Sequence, residues 1–430
     1  MELFINIFYT AFLALVGALG ILNLYLTLYI WEDPDRLNEI LSPEKFSKPL
    51  TSFSVLLPAR HEEKVIGQTI KSISSANYPK KLLELIIICQ EDDKKTIKKA
   101  EQAIKKGNIK NARVLTFDDG PVNKPHGLNK GLSVAKNKII TVFDAEDEVN
   151  PDIFNVANTL FLTKNPDVIQ AGVQLMNYDT RWYSVHNVLE YYLWFKSRMH
   201  FHTRVGMVPL GGNTVFFKAG HLRQINGWNE DCLTEDAEIG IRLSSIEAKI
   251  LSTYDAKHIT KEETPATIGQ FIKQRTRWNQ GFLQVLRIGE WTKYNSKLLQ
   301  LFSLYTLTFP IIQTILFFIT PVTLLLGFFY RLPLIISLLS IIPLMLLCLQ
   351  SVVSSIALRE LIQEQKLHTK RIVYIMLFLT YLPYQLILAI GALRATYREI
   401  KGINNWEKTM HFGEHRTTNH NLALEPEVAL

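Results

Sequence analysis

Four stretches of the chain carry no charged residue: residues 3–31, 298–330, 332–358 and 372–393. Each reaches the roughly 20 apolar residues needed to cross about 30 Å of hydrocarbon. Between the first and second stretch the pattern changes. From Ser52, short apolar runs alternate with helical periodicity: 52–59 (SFSVLLPA), a helix near 63–76, 83–89 (LELIIIC), a charged helix over 92–110, 112–117 (ARVLTF), a helix near 126–136, and 138–146 (KIITVFDAE). Continuous apolar strands spaced by helices predict βαβ units and a mostly parallel sheet buried on both faces. Ligands in such sheets bind beyond the carboxyl ends of the strands. Here those ends are polar: Arg60, His61 and Glu62 after the first, Glu91, Asp92 and Asp93 after the second, Asp144, Glu146 and Asp147 after the fourth.

The first apolar run has no Lys or Arg before it and exceeds the roughly 7–15 apolar residues of a signal peptide, so it reads as a membrane anchor. Arg36, Lys45 and Lys48 follow it, which places the central region in the cytoplasm by the positive-inside rule. The far end resists that rule. Three further spans with the basic loop 359–371 inside put the tail outside, yet the tail holds Arg394, Arg398, Lys401, Lys408 and Arg416. A break or re-entrant piece at Pro310 or Pro321 is one way out. The expected organisation is an anchor over 1–32, a central α/β domain over 50–262, an amphipathic interfacial helix over 263–292, about three membrane helices over 298–393 and a polar tail over 394–430.

Composition adds little beyond this. A hydrophobic fraction of 47% is high for a soluble enzyme of 430 residues, and the excess sits in the four runs. The three scattered cysteines, Cys89, Cys232 and Cys348, suit a reducing compartment. The net charge of +7 lies largely in the lysine-rich stretch 92–110, a solvated face near an anionic membrane surface. No aromatic-interleaved basic motif speaks for nucleic acid. The histidines His411, His415 and His420 read as solvated tail.

No G-x-G-x-x-G follows the first strand and no P-loop is present, so phosphates must be handled differently. Asp144 and Glu146 alternate at the end of an apolar strand and share a direction, a spacing that suits Mg²⁺ or Mn²⁺ on a diphosphate; an ordinary turn or helix cap is the other reading. In Thr234-Glu235-Asp236, Thr234 is a candidate N-cap and the acids favour a helix N-terminus, or one carboxylate is a general base taking a proton from a sugar hydroxyl. In Gln274-Arg275-Thr276-Arg277-Trp278, Trp278 is either a membrane-belt anchor or a platform for a sugar, with Gln274 and Arg277 binding phosphate or hydroxyls.

In this order the three elements resemble the D-x-D, T-E-D and Q-x-x-R-W motifs of the processive-type family-2 glycosyltransferases, the group of cellulose, chitin and hyaluronan synthases. The resemblance runs from about 52 to 281 and includes Asn123-Lys124-Pro125, Gly211-Gly212-Asn213 and Gly227-Trp228. It implies an α/β GT-A fold, a nucleoside-diphosphate sugar donor, UDP-linked in most members, and an inverting single displacement onto a glycan or lipid-linked acceptor. By that similarity Ala59, Arg60, Glu62 and Asp93 contact the nucleoside, Lys124 the diphosphate, and Asp144 and Glu146 the metal. Asp236, beside Glu235, is then the base, and Gln274, Arg277 and Trp278 hold the acceptor end and donor diphosphate. Glu146 stands where the motif has Asp, with Asp147 next to it, so either can meet the cation. The segment Asn405-Trp406-Glu407-Lys408-Thr409 resembles one that follows the last membrane helix in some relatives, which favours a cytoplasmic tail. Rival expectations are a single-addition glycolipid synthase and a non-catalytic subunit of an envelope complex, with accessory subunits open in each case.

Overall fold

A computed structural model describes residues 2–330, 332–407, 413, 415 and 416; Lys408, His411 and His420 lie outside them. The strands are β1 (Phe53–Ala59), β2 (Leu83–Gln90), β3 (Ala112–Phe117), β4 (Ile139–Val142), β5 (Val168–Ala171), β6 (Val173–Leu175), β7 (Val215–Lys218), β8 (Ile250–Thr253) and β9 (Thr260–Glu262). Seven form one sheet in the order β3-β2-β1-β4-β7-β5-β8, parallel throughout except β7, which runs antiparallel to both β4 and β5. β6 and β9 make a separate parallel pair.

The period of two explains why β1 is buried on both faces. Phe53, Val55 and Leu57 join one core cluster, while Leu56 joins the cluster on the opposite face. The neighbouring helix Ile66–Ser74 buries Ile66, Ile70 and Ile73, a stripe at helical spacing, against the first of these clusters. Strand order reverses between β1 and β4, both ends of which open on the same rim.

Among the described residues three helices, Leu3–Leu28, Lys297–Thr323 and Leu334–Glu364, are long and apolar enough to cross a membrane, and a bent pair, Arg371–Leu379 with Tyr381–Ile400, makes a fourth if it counts as one span. The break expected at Pro310 or Pro321 is not there. The helix Lys297–Phe329 runs through both prolines, with the Thr306 and Thr314 hydroxyls bonded to carbonyls one turn back. The 52° bend falls at Thr380 instead. Pro383 has no N–H for the Leu379 carbonyl, so the ladder opens one turn before it. The ring of His186 from the central domain meets the Thr380 hydroxyl at 2.9 Å and stacks on Tyr384.

A buried cluster joins the sheet domain to the apolar helices. The Lys196 ammonium, almost fully buried, donates to Glu360 Oε1 (2.9 Å), Glu364 Oε1 (2.5 Å) and Tyr192 OH (2.8 Å), and Trp31 Nε1 reaches Glu360 at 3.2 Å. Removing the cation strands two partly buried carboxylates. Lys196→Met is expected to destabilise the protein by about 3–5 kcal/mol, read as thermal unfolding in detergent. Adding Glu360→Gln and Glu364→Gln should recover much of the loss; no loss in the single variant would show the cluster to be energetically idle.

Candidate active site

The carboxyl ends of β1, β2 and β4 open into a cavity of about 1640 Å³ that continues between the apolar helices. On the β1 side, Ala59, Arg60 and Glu62 line it. Arg60 forks onto Asp92 (2.9 and 3.1 Å). Asp93 is not among the lining residues. Its carboxylate caps the helix Lys94–Lys106 and accepts the His61 N–H at 2.6 Å, holding His61 in the left-handed region at φ 54°. Asp93 therefore shapes the loop that presents Arg60 and Glu62.

The cavity floor is built around Lys124. Asn123 caps the helix Lys124–Val134 through His126 N (2.9 Å), and Pro125 presets its first turn. That start aims Lys124 Nζ at Asp144 Oδ1 (2.6 Å), the Gly212 carbonyl (3.0 Å) and Glu235 Oε1 (3.9 Å). Burial alone pulls a lysine pKa down, yet the Asp144 and Glu235 charges hold Lys124 above its ordinary value. Gly212 leaves room for both charged ends: a Cβ there would lie 2.9 Å from Asp236 Oδ2 and 3.3 Å from Lys124 Nζ, so the Asp236 carboxylate would have to shift.

Glu146 faces the cavity, whereas Asp147 is fully buried. Asp147 accepts from Asp144 N (2.8 Å) and Asn213 Nδ2 (2.9 and 3.0 Å), and Asn213 also donates to Glu262. Of the two acids after Asp144, the open one is Glu146. Burial, with Glu146 and Asp144 close by, pushes Glu262 up to about 8, and burial beside Glu262 also drives Asp147 well up. Among the described residues no three acidic, histidine or cysteine side chains form a closed metal cage. Asp144 and Glu146 can hold a divalent cation as an open site, and the crowding of like charges around Glu262 is relieved by such an ion.

Glu235 and Asp236 open the helix Glu235–Ser245 and line the cavity. The expected Thr234 cap bond is absent; Thr234 packs instead against Gly281, where a Cβ would lie 2.2 Å from its Oγ1. Burial raises Asp236 above its ordinary value, opposed by Lys124 and Arg277, while burial pushes Glu235 up to about 7. Gln274, Arg277 and Trp278 share one face of the helix Ile268–Ile288 by their i, i+3, i+4 spacing. The Gln274 Oε1 and Arg277 Nε atoms are buried without a partner among the described residues, so they await a ligand or water. Arg275 stacks over Trp278 at 4.7 Å and is fixed by Glu190 and Asn187.

Sequence reasoning missed Glu262, the Glu190–Arg275 pair and the spacer role of Gly212. Glu262 ends a three-residue strand and belongs to no motif, so only the fold brings it to Asp147. His415, expected to be solvated, is fully buried near Glu263, and Arg416 donates to the Glu146 and Asp147 carbonyls at 2.8 and 2.9 Å.

The sequence profile described as "Glycosyltransferase like family 2" matches residues 49–281, more than half of the chain. The protein belongs to the family-2 glycosyltransferases. It is 26% identical to the Poly-beta-1,6-N-acetyl-D-glucosamine synthase of Staphylococcus epidermidis, over 72% of this chain and 71% of that one. It is 28% identical to the Beta-monoglucosyldiacylglycerol synthase of Nostoc sp. (strain PCC 7120 / SAG 25.82 / UTEX 2576), over 54% and 49%. It is 26% identical to the Bacillus subtilis (strain 168) protein named "Probable glycosyltransferase YdaM", over 54% and 56%. The match thus spans about half the length of two of these relatives. In fold it is similar to the mannosyltransferase PcManGT of Pyrobaculum calidifontis, solved with GDP-Man and Mn²⁺, with a TM-score of 0.57 at 14% identity over 91% of this chain and 99% of that one. The mixed α/β sheet is a GT-A fold, and the enzyme is a glycosyltransferase.

Two outcomes are expected. Gly212→Ala should lower turnover by about tenfold or more, since the methyl group displaces the Asp236 carboxylate, with thermal unfolding changed little; wild-type rates would show that the carboxylate yields without cost. Burial and the neighbouring Glu146 and Asp144 raise Glu262 from 4.5 to about 8. The folded state therefore binds more protons in that window. Stability from this group is complete below about 4.5 and is lost as pH rises through about 8. In chelator, Glu262→Gln should flatten the decline in thermal stability between pH 5 and 9; an unchanged slope would assign it to other groups.

Proposed function

We propose that this enzyme is an inverting, membrane-embedded glycosyltransferase that moves a sugar from a nucleoside-diphosphate donor, UDP-linked by family likeness, to a growing polysaccharide at the cytoplasmic membrane face. The observation that carries the reading is the meeting of Lys124, Asp144, Asp236 and Arg277 on one cavity that begins at the sheet rim and continues between the apolar helices. Ala59, Arg60 and Glu62 face the nucleoside. Lys124 and Arg277 receive the diphosphate. Asp144 and Glu146 hold Mg²⁺ or Mn²⁺, which when bound supplies Lewis-acid stabilisation of charge on the leaving diphosphate. Asp236 accepts the proton of the acceptor hydroxyl as its oxygen attacks the anomeric carbon from the face opposite the leaving group, which inverts that centre. Trp278 and Gln274 hold the acceptor end.

The membrane placement draws support from the bent pair. Tyr178 OH donates to the His368 carbonyl before its first helix, His186 meets its bend, and Arg398 Nε reaches Gln280 Oε1 (2.9 Å) at its end. The start and the bend touch the sheet domain and the end touches the helix Ile268–Ile288, which supports a pair that re-enters on the domain's side. Two spans then follow the anchor and domain, and the tail returns to the cytoplasm, which removes the charge conflict read in the sequence.

A second reading, single addition to a lipid, is favoured by the exposed apolar side chains at the cavity's membrane end and by the Nostoc relative. One experiment covers both. Nucleotide release by membranes is measured over a panel of UDP- and GDP-sugars with Mn²⁺ or Mg²⁺, with excess chelator and with Asp236→Asn as controls. Release from one donor, stopped by chelator and reduced by about 10³-fold or more in the variant, is expected. Turnover above a few per cent in Asp236→Asn would remove it as the base. A ladder of labelled products marks a polymer, and one glycolipid spot marks single addition.

A further inference from the structure

The cavity changes sign along its length. At the sheet end its lining holds Asp144, Glu146, Glu235, Asp236 and Glu262, with Arg60, Lys124 and Arg277 set among these acids. The lining contributed by the helices after residue 300 contains no Asp or Glu, but it contains Arg359 and Arg371. Neither arginine has a hydrogen bond or ion pair among the described residues. The acids nearest in sequence, Glu360 and Glu364, are committed to Lys196. Arg198, on the same cavity, donates to Asn23 and Thr27 of the first helix and has no carboxylate partner among the described residues.

Arg359 and Arg371 flank the short link between the helices Ile341–Glu364 and Arg371–Leu379, so both sit at the same end of that hairpin, within about two helical turns in depth. Beside them, Val352, Ile356 and Phe378 line the cavity while remaining 54%, 62% and 64% exposed. These exposed apolar side chains at the cavity's edge suit a lateral opening toward bilayer hydrocarbon. Guanidinium groups beside such an apolar edge suit an anionic amphiphile, phosphate on the arginines and chain in the lipid.

We propose that Arg359 and Arg371 form the head-group site of the acceptor, and that this acceptor is a long-chain lipid phosphate or diphosphate, bare or bearing its first sugars, which enters laterally from the membrane. The inference rests on the glycosyltransferase reading above and names the acceptor on which glycan addition starts. A neutral diacylglycerol leaves both arginines unmatched, as does the end of a neutral polymer.

The test uses the full-length protein in phosphatidylcholine nanodiscs with the donor found by the panel. The discs carry a long-chain alcohol phosphate or diacylglycerol, and inorganic phosphate is added in a further arm. Labelled lipid product from the phosphate lipid should exceed that from diacylglycerol by about tenfold or more. The double variant Arg359→Gln/Arg371→Gln should raise the acceptor KM by roughly tenfold or more with the donor KM unmoved. Arg359→Lys/Arg371→Lys should fall between, since charge is kept without the fork. Equal product from diacylglycerol, or an acceptor KM unmoved in the glutamine variant, overturns the proposal and leaves the arginines as topology signals. Competition by inorganic phosphate at the same bulk concentration also overturns it, in favour of a free anion. Loss of nucleotide release from every donor in the wild type counts instead against the glycosyl-transfer reading itself.

Discussion

Lys124 is the residue on which the geometry of the site turns. Its ammonium meets a carboxylate from the end of β4, a carbonyl from the turn before β7 and, further off, the first acid of the Glu235–Ser245 helix. Three segments remote in sequence are thereby fixed around one charge. The acids would otherwise repel one another in a place with little water, where a pair of charges interacts several-fold more strongly than in bulk solvent. Everything that positions Lys124 is correspondingly exact in local chemistry: the Asn123 cap, the Pro125 first turn and Gly212, whose missing side chain leaves room for both the ammonium and Asp236.

The helix Ile268–Ile288 transmits this arrangement to the apolar helices. Glycines allow close approach on two sides: its own Gly281 lets Thr234 approach from the catalytic side, and Gly391 of the Tyr381–Ile400 helix makes room for its Arg275. A side chain at either position would push the helix away from one partner and, since the interior is close-packed, shift Gln274, Arg277 and Trp278 with it. The spacing that puts those three on the cavity face is therefore useful only because both neighbours come so near. This is why one helix can line the sheet end of the cavity while packing against the apolar helices.

The first half of the sheet was legible in the sequence because β1, β2 and β4 are buried on both faces and read as unbroken apolar runs. β5 to β9 have three or four residues each, too few for a period to register, and β7 runs against its neighbours. The motif residues were legible as residue types at fixed intervals, but their partners were not. Asp147 looked equivalent to Glu146 until the backbone turned it inward to Asn213, and Glu262 reaches it from more than a hundred residues away. The misplaced helix break has a similar origin. Pro310 and Pro321 sit inside one long continuous helix, while Pro383 acts where His186 from another domain meets the Thr380 hydroxyl at the opened turn.

The electrostatics around Asp236 also bear on timing. Burial makes this carboxyl a stronger base than an exposed aspartate, and Lys124 and Arg277 work against that by favouring its ionised form. On the proposed reading, those same two cations are the ones that receive the donor diphosphate. Once its negative charge occupies them, their field no longer offsets burial at Asp236, and the carboxylate becomes more basic. The base is then strongest when the donor is seated and an acceptor hydroxyl lies between them, and weakest when the cavity holds only water. A single pair of cations would thus both hold the leaving group and keep the base from carrying an idle proton before the donor arrives.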